Sequence, residues 1–513
     1  MRKTQKGDFV PKKRKLISSE SEPVGYEALI RRFALQVLPH HHTSFILNKG
    51  NHRTTQSNGK TTDYFRSTYR PNNDLWGNLE FALKYDGINL EILSLLFQKI
   101  SARELMETIR KRPTSKYSRQ AWFLYEFLTG KRLGLPDMNQ GNYIDLLETD
   151  DYYTAPPISL KRYRLNNNLL GGPGFCPMVR RTPELKSFEK KALDQEVTRI
   201  TKKYSPKFLE RAINYLYTKE TRSSFEIEHV HPTEKRIHIF SKLLRKAGDL
   251  EKLDKNEFIH LQNLIVEERF KDSDFRKRQN YVGESWGYQK EYVHYISPKP
   301  SDVEGLMGGL MACNDRLGRS LVHPLIHAAA IAFGFVFIHP FEDGNGRLHR
   351  FLIHHILAKR GFTPKEIVFP ISATLLNELK KYDAILESFS KPLMDLLDYE
   401  VHEDGSITAE NNDPPHYRYV DMTFICERMF GILEKTIQVE FTQELDFIQR
   451  YDRITQAIQG VVDMPDSLIN LFVRLCLQNK GKLSLNKRKA HFSKLTDKEI
   501  KQLEAIVQSQ GSN

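Results

Sequence analysis

Two apolar segments that flank a short polar turn constrain the fold of this chain most strongly. The first extends from Leu321 to Phe337 and the second from Phe351 to Leu357. Between them stands the sequence DGNG (residues 343–346), whose residue types interrupt helices and tolerate positive φ angles. Because segments this apolar must be buried, the pattern predicts two core helices joined by a tight turn.

The turn and its flanks bring several reactive groups together within twelve residues. His339 ends the first helix, Asp343 lies on the turn, and two arginines, Arg347 and Arg350, open the second helix. Free N–H groups and the positive dipole end of that helix attract anions, and arginines three positions apart can both contact one phosphate. A carboxylate beside phosphate suits Mg²⁺, and a neutral imidazole can accept a proton from a hydroxyl group. The segment therefore predicts a site of phosphoryl or nucleotidyl transfer.

A metal-dependent hydrolase is a second interpretation of the same segment. Its ligands would be drawn from His339, Asp343, His349, His354 and His355. His354 and His355 are adjacent, so they cannot share one face of a helix, and the segment lacks the HExxH spacing of zinc hydrolases. The transferase interpretation is therefore preferred.

The composition excludes several other classes of protein. The chain has 513 residues, 40% of them hydrophobic, which suits about three globular domains and excludes wholesale disorder. No run of about 18 apolar residues and no apolar secretory signal is found, so we expect no membrane span. The net charge of +13 is typical of a protein that binds nucleic acid or of an enzyme that acts on phosphates. The four cysteines lack CxxC spacing, which favours a reducing, cytoplasmic location: Cys176, Cys313, Cys426 and Cys476.

The segment from His339 to Arg350 resembles the signature of the Fic (Fic/Doc-like) family, HxFx(D/E)GNGRxxR, at every specified position. The similarity extends over roughly residues 187–392. It implies a mainly α-helical fold with a Fic-type core and a β-hairpin flap. It also implies a protein adenylyltransferase, which transfers AMP from ATP to a Ser, Thr or Tyr hydroxyl of a protein and releases pyrophosphate.

The resemblance implies a role for each residue of the signature. His339 would be the general base toward the target hydroxyl, and Asp343 would hold the Mg²⁺ ion that bridges the α- and β-phosphates of ATP. Arg347 would stabilise the β-phosphate, and Arg350 would contact the γ-phosphate. Three residues of the turn would cradle phosphate: Gly344, Asn345 and Gly346.

Two further regions resemble features of the family. Residues 276–296 resemble two strands that the family uses as a flap, which pairs with an extended segment of the target. An ordinary surface hairpin is the alternative. The flap residues expected to bind the target are Tyr281, Val282, Gly283 and Trp286. Asn377 and Tyr382, expected on one helix, correspond to positions near adenine, although ordinary helix-surface residues are an equally good interpretation.

The segment from Ser224 to His229 resembles the inhibitory motif (S/T)xxxE(G/N) of the family. Glu228 would pair with Arg350, block the γ-phosphate position and hold ATP in an unproductive pose. The physical basis is that a carboxylate competes with phosphate for one guanidinium. His229 departs from the motif, which has Gly or Asn at that position. The resemblance implies autoinhibition within one chain.

The order of segments predicts several domains. We expect a basic flexible tail (1–24), a helical N-terminal domain (25–136) with a mobile loop at 48–62, a small strand-containing segment (137–181), the Fic catalytic domain (182–395), a linker (396–417) and a helical C-terminal domain (418–513). Segments of the form S/T-x-x-E predict helix starts at Ser301, Thr363 and Thr496.

The expected partner is a protein substrate with a hydroxyl side chain, which includes the enzyme itself, and the family allows a homodimer. The stretch from Lys480 to Lys494 holds six basic residues and no acidic one. It predicts either weak contact with nucleic acid or a solvated surface. Two other functions stay open at this point: a Fic-fold transferase of another phosphate-containing group, and a DNA-associated regulator that senses a nucleotide.

Overall fold

The computed structural model describes residues 21–57, 59–285 and 291–511, and these residues are mainly helical, which confirms the predicted fold class. Most of the predicted basic tail, and Trp286 of the predicted flap, lie outside the described residues. Within the described ranges, no helix has the length and apolar character needed to cross a membrane.

The N-terminal unit contains a mixed sheet as well as the predicted helices. Its strands are β1 (Ser21–Val24), β2 (His42–Leu47), β3 (Arg53–Ser57) and β4 (Lys60–Phe65). Its helices are α1 (Tyr26–Phe33), α2 (Leu75–Phe81), α3 (Leu90–Lys99), α4 (Ala102–Lys111) and α5 (Lys116–Thr129). The strand order is β1-β2-β4-β3, in which only β2 and β4 run parallel.

This sheet corrects two expectations. Residues 21–24, assigned to the tail, pair with β2, and residues 48–62, assigned to a mobile loop, contain β3 and the start of β4. Thr55 faces Thr62 across the β3–β4 pair. Threonine favours strands because its branched side chain packs well on a pleated surface, so a segment rich in Thr, Asn and Gly formed a hairpin rather than a loop.

A three-stranded sheet and a large helical core follow. The sheet has the order β5-β7-β6, with β5 (Ile144–Asp145), β6 (Ile158–Leu160) and β7 (Leu165–Asn167). Before the signature stand α6 (Pro183–Glu189), α7 (Leu193–Thr201), α8 (Pro206–Glu226), α9 (Glu234–Arg245), α10 (Lys255–Ile265), the hairpin β8 (Tyr281–Ser285) and β9 (Glu291–Ile296), and α11 (Pro300–Gly318). Helix α12 (Pro324–Ile338) ends directly before the signature, which leads into α13 (Asn345–Lys359), and α14 (Ile371–Asn377) and α15 (Leu379–Met394) follow.

The two apolar segments of the sequence form the centre of this core. Helices α12 and α13 lie against each other, and Phe333, Phe335 and Leu352 are fully buried. Helix α12 is buried on every side, as a helix with no polar face must be. The turn between the two helices is therefore held at the edge of a rigid framework.

Residues 396–417 form part of the fold rather than a linker. They contain the hairpin β10 (Asp398–Val401) and β11 (Ile407–Glu410) and helix α16 (Pro414–Arg418). Tyr417 is buried and donates a hydrogen bond of 2.9 Å to the carbonyl of Ile296, and Asn412 donates to the carbonyl of Ser297. Polar composition suggested a linker, but the amide N–H of Asn412 and the hydroxyl of Tyr417 can be buried because both donate a hydrogen bond.

The C-terminal region begins inside the main core. Helix α17 (Thr423–Lys435) contributes Cys426 and Phe430 to that core. A π-helical turn (Thr436–Phe441) then continues into α18 (Thr442–Gln459). The end of α18 packs with α19 (Asp466–Gln478) and α21 (Asp497–Gly511) around a separate small core, to which Leu483 and Phe492 on either side of α20 (Leu485–His491) also belong. The predicted domain boundary near 418 therefore falls within one continuous packed region.

Only one of the three S/T-x-x-E segments forms a capping box. The Oγ1 of Thr496 accepts from the backbone N–H of Glu499, whose carboxylate accepts from the backbone N–H of Thr496. Helix α11 begins one residue before Ser301, and no helix begins at Thr363. The same short pattern elsewhere lacks the backbone geometry that a cap needs.

Candidate active site

His339 closes helix α12 in a left-handed conformation, with a φ of 52°. Such a φ costs an ordinary residue about 1 kcal/mol, so the surrounding structure must hold it there. Its Nδ1 lies 3.1 Å from the carbonyl oxygen of Val336. Because a carbonyl can only accept, Nδ1 carries the proton. Burial lowers the pKa of His339 to about 4, so the ring is neutral near pH 7 and its Nε2 is able to accept a proton.

The turn after His339 is held by its own side chains. The amide of Asn345 donates to the carbonyl of Phe341 over 2.7 Å, and its Oδ1 accepts from the N–H of Phe341 over 3.1 Å. Phe341 is fully buried and packs against Phe275. The side chain of Asn345 therefore shapes the turn, which leaves its backbone amide as the group that a phosphate could reach.

Gly344 and Gly346 are required by the space around the turn. Gly344 has a φ of 91°, and a Cβ there would lie 2.9 Å from Cγ1 of Val266. A Cβ on Gly346 would lie 2.4 Å from Oε1 of Glu228. The position over the first turn of α13, where its backbone amides attract anions, is thus filled by the carboxylate of Glu228.

Two buried arginines hold this carboxylate. The Nη2 of Arg350 donates to Oε1 of Glu228 over 2.7 Å, and the Nε of Arg347 lies 2.8 Å from Oε2. Both arginine side chains are only 2% exposed, whereas that of Glu228 is 25% exposed. The sequence predicted the pair with Arg350 and missed the one with Arg347. Burial by itself lowers the pKa of Arg350, but the Glu228 carboxylate and the Tyr382 hydroxyl together outweigh it, so the pKa is raised.

The end of helix α8 places Glu228 at this position. The N–H of Val230 donates to the carbonyl of Phe225 over 3.1 Å, and His229 between them has a φ of 55°. This is the left-handed bend that commonly ends helices, and it explains why the family motif has Gly or Asn here. Histidine is among the side chains that tolerate such a φ, so the departure at His229 preserves the bend.

Ser224 is the second contact between α8 and Arg350. Its Oγ accepts from Nε of Arg350 over 2.8 Å, and its carbonyl accepts from Nη2 over 2.6 Å. One turn earlier, the buried Glu220 accepts from the backbone N–H of Ser372 and lies 2.7 Å from Nε2 of His354. Glu220 thus anchors α8 to both α13 and α14. Sequence reasoning missed it because nothing local distinguishes it from the other charged residues of α8.

Arg276 is a further residue that sequence reasoning missed. It is buried, and its guanidinium donates to the carbonyls of His339, Arg278 and Pro298 over 2.8, 2.9 and 2.6 Å. Its backbone N–H donates to Pro340. Burial lowers its pKa to about 10, so the group stays charged near pH 7. Arg276 therefore joins the base of the flap to the carbonyl of His339.

Asp343 is the residue of the turn that could hold a cation. Its side chain is 41% exposed, and its Oδ1 accepts from the N–H of Gly344 and from Nη2 of Arg347, each over 2.6 Å. Across the described ranges, no group of three or more His, Cys, Asp and Glu residues is arranged to hold a metal ion. One exposed carboxylate fits Mg²⁺, which commonly binds through one or two carboxylates together with phosphate oxygens and water.

The predicted flap forms a hairpin. Strands β8 and β9 pair antiparallel, with a register shift between Val282 and Gly283. Val293 and Tyr295 point into the core, whereas Tyr292 is 64% exposed and Val282 is 42% exposed. Just before β8, the amide of Asn280 donates to the carbonyl of Phe341 over 3.2 Å. Tyr281 is half-buried against the core, so the hairpin starts directly beside the turn.

Asn377 and Tyr382 do not share a helix. Asn377 ends α14 and its Nδ2 donates to Glu440 over 2.9 Å, while Tyr382 belongs to α15. The hydroxyl of Tyr382 is buried and lies 3.2 Å from Nδ1 of His349. The chain turns at residue 378 between the two helices, so two residues that were expected on one helix contact different partners.

Parts of this chain are similar to known proteins. Residues 252–357 match the model of the Fic/DOC family. Protein adenylyltransferase Fic of Culex quinquefasciatus is 32% identical over 120 residues, which are 22% of this chain and 22% of that protein. That of Nematostella vectensis is 41% identical over 78 residues, which are 15% and 18%. A crystal structure of a Fic family protein from Desulfovibrio desulfuricans covers 61% of this chain and 84% of its own, with 18% identity and a TM-score of 0.37.

This chain therefore spans about a fifth of the length of the curated relatives it matches. The family match contains the whole His339–Arg350 signature, in which the helix, the turn and the two buried arginines are arranged as described above. The resemblance seen in the sequence is confirmed for this part of the chain: residues 252–357 match the Fic/DOC family model.

Proposed function

We propose that this chain is a protein adenylyltransferase that transfers AMP from ATP to a hydroxyl side chain of a protein. One observation carries the proposal. The carboxylate of Glu228 lies over the first turn of α13 and contacts both Arg347 and Arg350. The neutral imidazole of His339 stands at the other end of the connection between α12 and α13. A position that binds one anion so closely is suited to the phosphates of a nucleotide.

In the proposed transfer of AMP, a few residues each have a separate chemical role. The hydroxyl oxygen of the target attacks the α-phosphorus, and Nε2 of His339 accepts its proton as the bond to pyrophosphate breaks. The backbone amides of residues 344–346 and the guanidinium of Arg347 stabilise the charge on the phosphates. Arg350 contacts the terminal phosphate. Asp343 would hold Mg²⁺, which neutralises charge on the phosphates when bound.

Glu228 restrains this activity in the proposed function. Its carboxylate occupies the position that the terminal phosphate needs, and the same two arginines cannot hold both groups. ATP therefore binds productively only after the end of helix α8 has moved. Ser224 and Glu220, which attach α8 to α13, set how easily that movement occurs.

The flap is the proposed site for the protein substrate. Its register shift lies at Val282 and Gly283, and Val282 is exposed. An extended segment that adds to the edge of this hairpin would present a hydroxyl side chain near His339, because Asn280 ties the start of β8 to the turn.

The test uses ATP labelled on either the α- or the γ-phosphate. We expect the chain, in the presence of Mg²⁺, to incorporate the α label and not the γ label into protein. The variant His339→Ala is expected to lose at least 10²-fold in rate. His238→Ala, a change at an exposed histidine of α9, serves as the matched control. Incorporation of the γ label would indicate kinase chemistry, and full activity of His339→Ala would reject the assigned base.

A further inference from the structure

An exposed basic surface lies at the far end of the chain from the Fic signature. Residues 467–496 contain seven Lys and Arg residues and no Asp or Glu. One of the seven, Arg488, pairs with Asp497. The other six are exposed and define what we call the C-terminal basic surface: Arg474, Lys480, Lys482, Lys487, Lys489 and Lys494.

The charges of this surface are uncompensated. Within the described part of the chain, no carboxylate lies within 4.0 Å of any of the six side chains. Mutual repulsion among these like charges opposes the compact state, and a partner of opposite charge would relieve it. The arrangement therefore points to a partner of opposite charge.

The local structure presents these charges outward. Helices α19 and α20 are joined by a short connection in which Lys480 and Gly481 both have positive φ angles, 51° and 79°. The Oγ of Ser484 accepts from the N–H of Lys487 and so caps the start of α20. The connection and α20 together carry four of the six cations on one continuous stretch of chain.

The other side chains of the surface narrow the class of partner. The only large apolar side chain exposed in residues 467–496 of the described structure is Leu485, at 72%. A protein interface needs an apolar centre, which one leucine does not supply. Phe492, the Phe residue of the basic stretch, is buried against Phe472, so its ring is not available to stack on single-stranded bases.

We propose that the C-terminal basic surface binds the phosphate backbone of duplex DNA, with affinity that depends on charge rather than on base sequence. Lysines act as point charges toward phosphate, and a duplex offers closely spaced phosphates on a rigid surface. This inference goes beyond the proposed AMP transfer and does not depend on it.

The experiment measures binding of the full chain to a fluorescent duplex of about 30 base pairs while KCl is raised from about 50 to about 200 mM. Six phosphate contacts predict that a plot of the logarithm of the association constant against the logarithm of the KCl concentration has a slope of about −5. The affinity should fall about 10³-fold over this range of salt. Lys487→Gln combined with Lys489→Gln is expected to make the slope less steep by about 2. The matched control changes two exposed lysines of distant regions, Lys131→Gln and Lys161→Gln, and should keep the original slope.

Four outcomes would overturn the inference. These are the absence of salt-dependent binding, equal slopes for the two double variants, tighter binding to a single strand of equal length, and displacement of the duplex by polyglutamate at equal charge. The last two would assign the surface to single strands or to acidic proteins. None of these binding measurements uses labelled ATP, so their outcome is independent of the test of AMP transfer.

Discussion

Replacing Glu228 by alanine tests the central feature of the site, a carboxylate that stands where a phosphate is proposed to bind. The change removes one charge-assisted hydrogen bond to Arg350 and one ion pair with Arg347. Hydrogen bonds to charged groups contribute about 1.5–3 kcal/mol each. The contact with Arg347 is an ion pair without an aligned hydrogen bond, and Glu228 is 25% exposed, so its share is small.

The arginines also keep other partners after the change. Arg350 retains both contacts with Ser224, and Arg347 retains the carbonyl of Ile265 and the carboxylate of Asp343. We therefore place the free energy that Glu228 contributes to the closed site at about 2–3 kcal/mol, below the 3–5 kcal/mol of a fully buried pair. At about 1.4 kcal/mol per factor of ten, displacing Glu228 reduces productive ATP binding by about 30- to 150-fold.

The assay combines labelling from α-labelled ATP with urea denaturation. Glu228→Ala is expected to increase the labelling rate at low ATP by about 30- to 150-fold and to lower the unfolding free energy of the nucleotide-free protein by about 2–3 kcal/mol. Added ATP should restore more stability to the variant than to the natural chain. Glu226→Ala, at an exposed residue on the last turn of α8, is the matched control. Lower stability with no gain in labelling would refute the reasoning.

Three other changes test how the site is held. Arg276→Lys keeps the positive charge, but a lysine cannot contact the three carbonyls at once, so the labelling rate should fall about tenfold or more. Arg278→Lys, at an exposed position, is the control and should leave the labelling rate unchanged. Equal rates for the two variants would contradict the role of Arg276. Glu220→Gln replaces one of the two acceptor oxygens that hold α8 by an NH2 donor, so we expect several-fold faster labelling and a stability loss of about 2 kcal/mol in urea. Unchanged labelling would show that α8 need not move. The pKa of His339 is about 4 in the folded chain and 6.5 in the unfolded chain. As the pH falls below 6.5, the unfolded state therefore binds more protons than the folded state. The stability that this residue contributes is lost between pH 6.5 and 4. The acid limb of kcat/KM, which reports the free enzyme, should accordingly lie near pH 4, and a limb near 6.5 would contradict the burial of the ring.

Sequence reasoning succeeded where the information is local. The His339–Arg350 segment combines a buried apolar helix, helix-breaking residues and two arginines three positions apart, and each property follows from residue type and helical spacing. The capping box at Thr496 was predicted correctly for the same reason. The failures at Ser301 and Thr363 show that such a pattern does not by itself position a helix start when the following residues pack otherwise.

Domain organisation was predicted less well, because composition was used in place of contacts. Residues 396–417 are polar in sequence, yet Asn412, His416 and Tyr417 are buried. His416 lies 2.7 Å from Glu91 of the N-terminal unit, a partner that is 325 positions away in the chain. A buried polar residue cannot be told from an exposed one until its hydrogen-bond partner is known.

The amino-acid sequence alone thus determined the helix–turn–helix with its imidazole, its carboxylate and its pair of arginines, since these depend on neighbours within a few residues. Tertiary packing alone decided that Arg347 as well as Arg350 contacts Glu228, that Glu220 anchors α8, and that Arg276 holds the carbonyl of His339. These contacts join residues between 63 and 152 positions apart. Which distant side chains meet depends on how every intervening helix packs, and no local pattern records that.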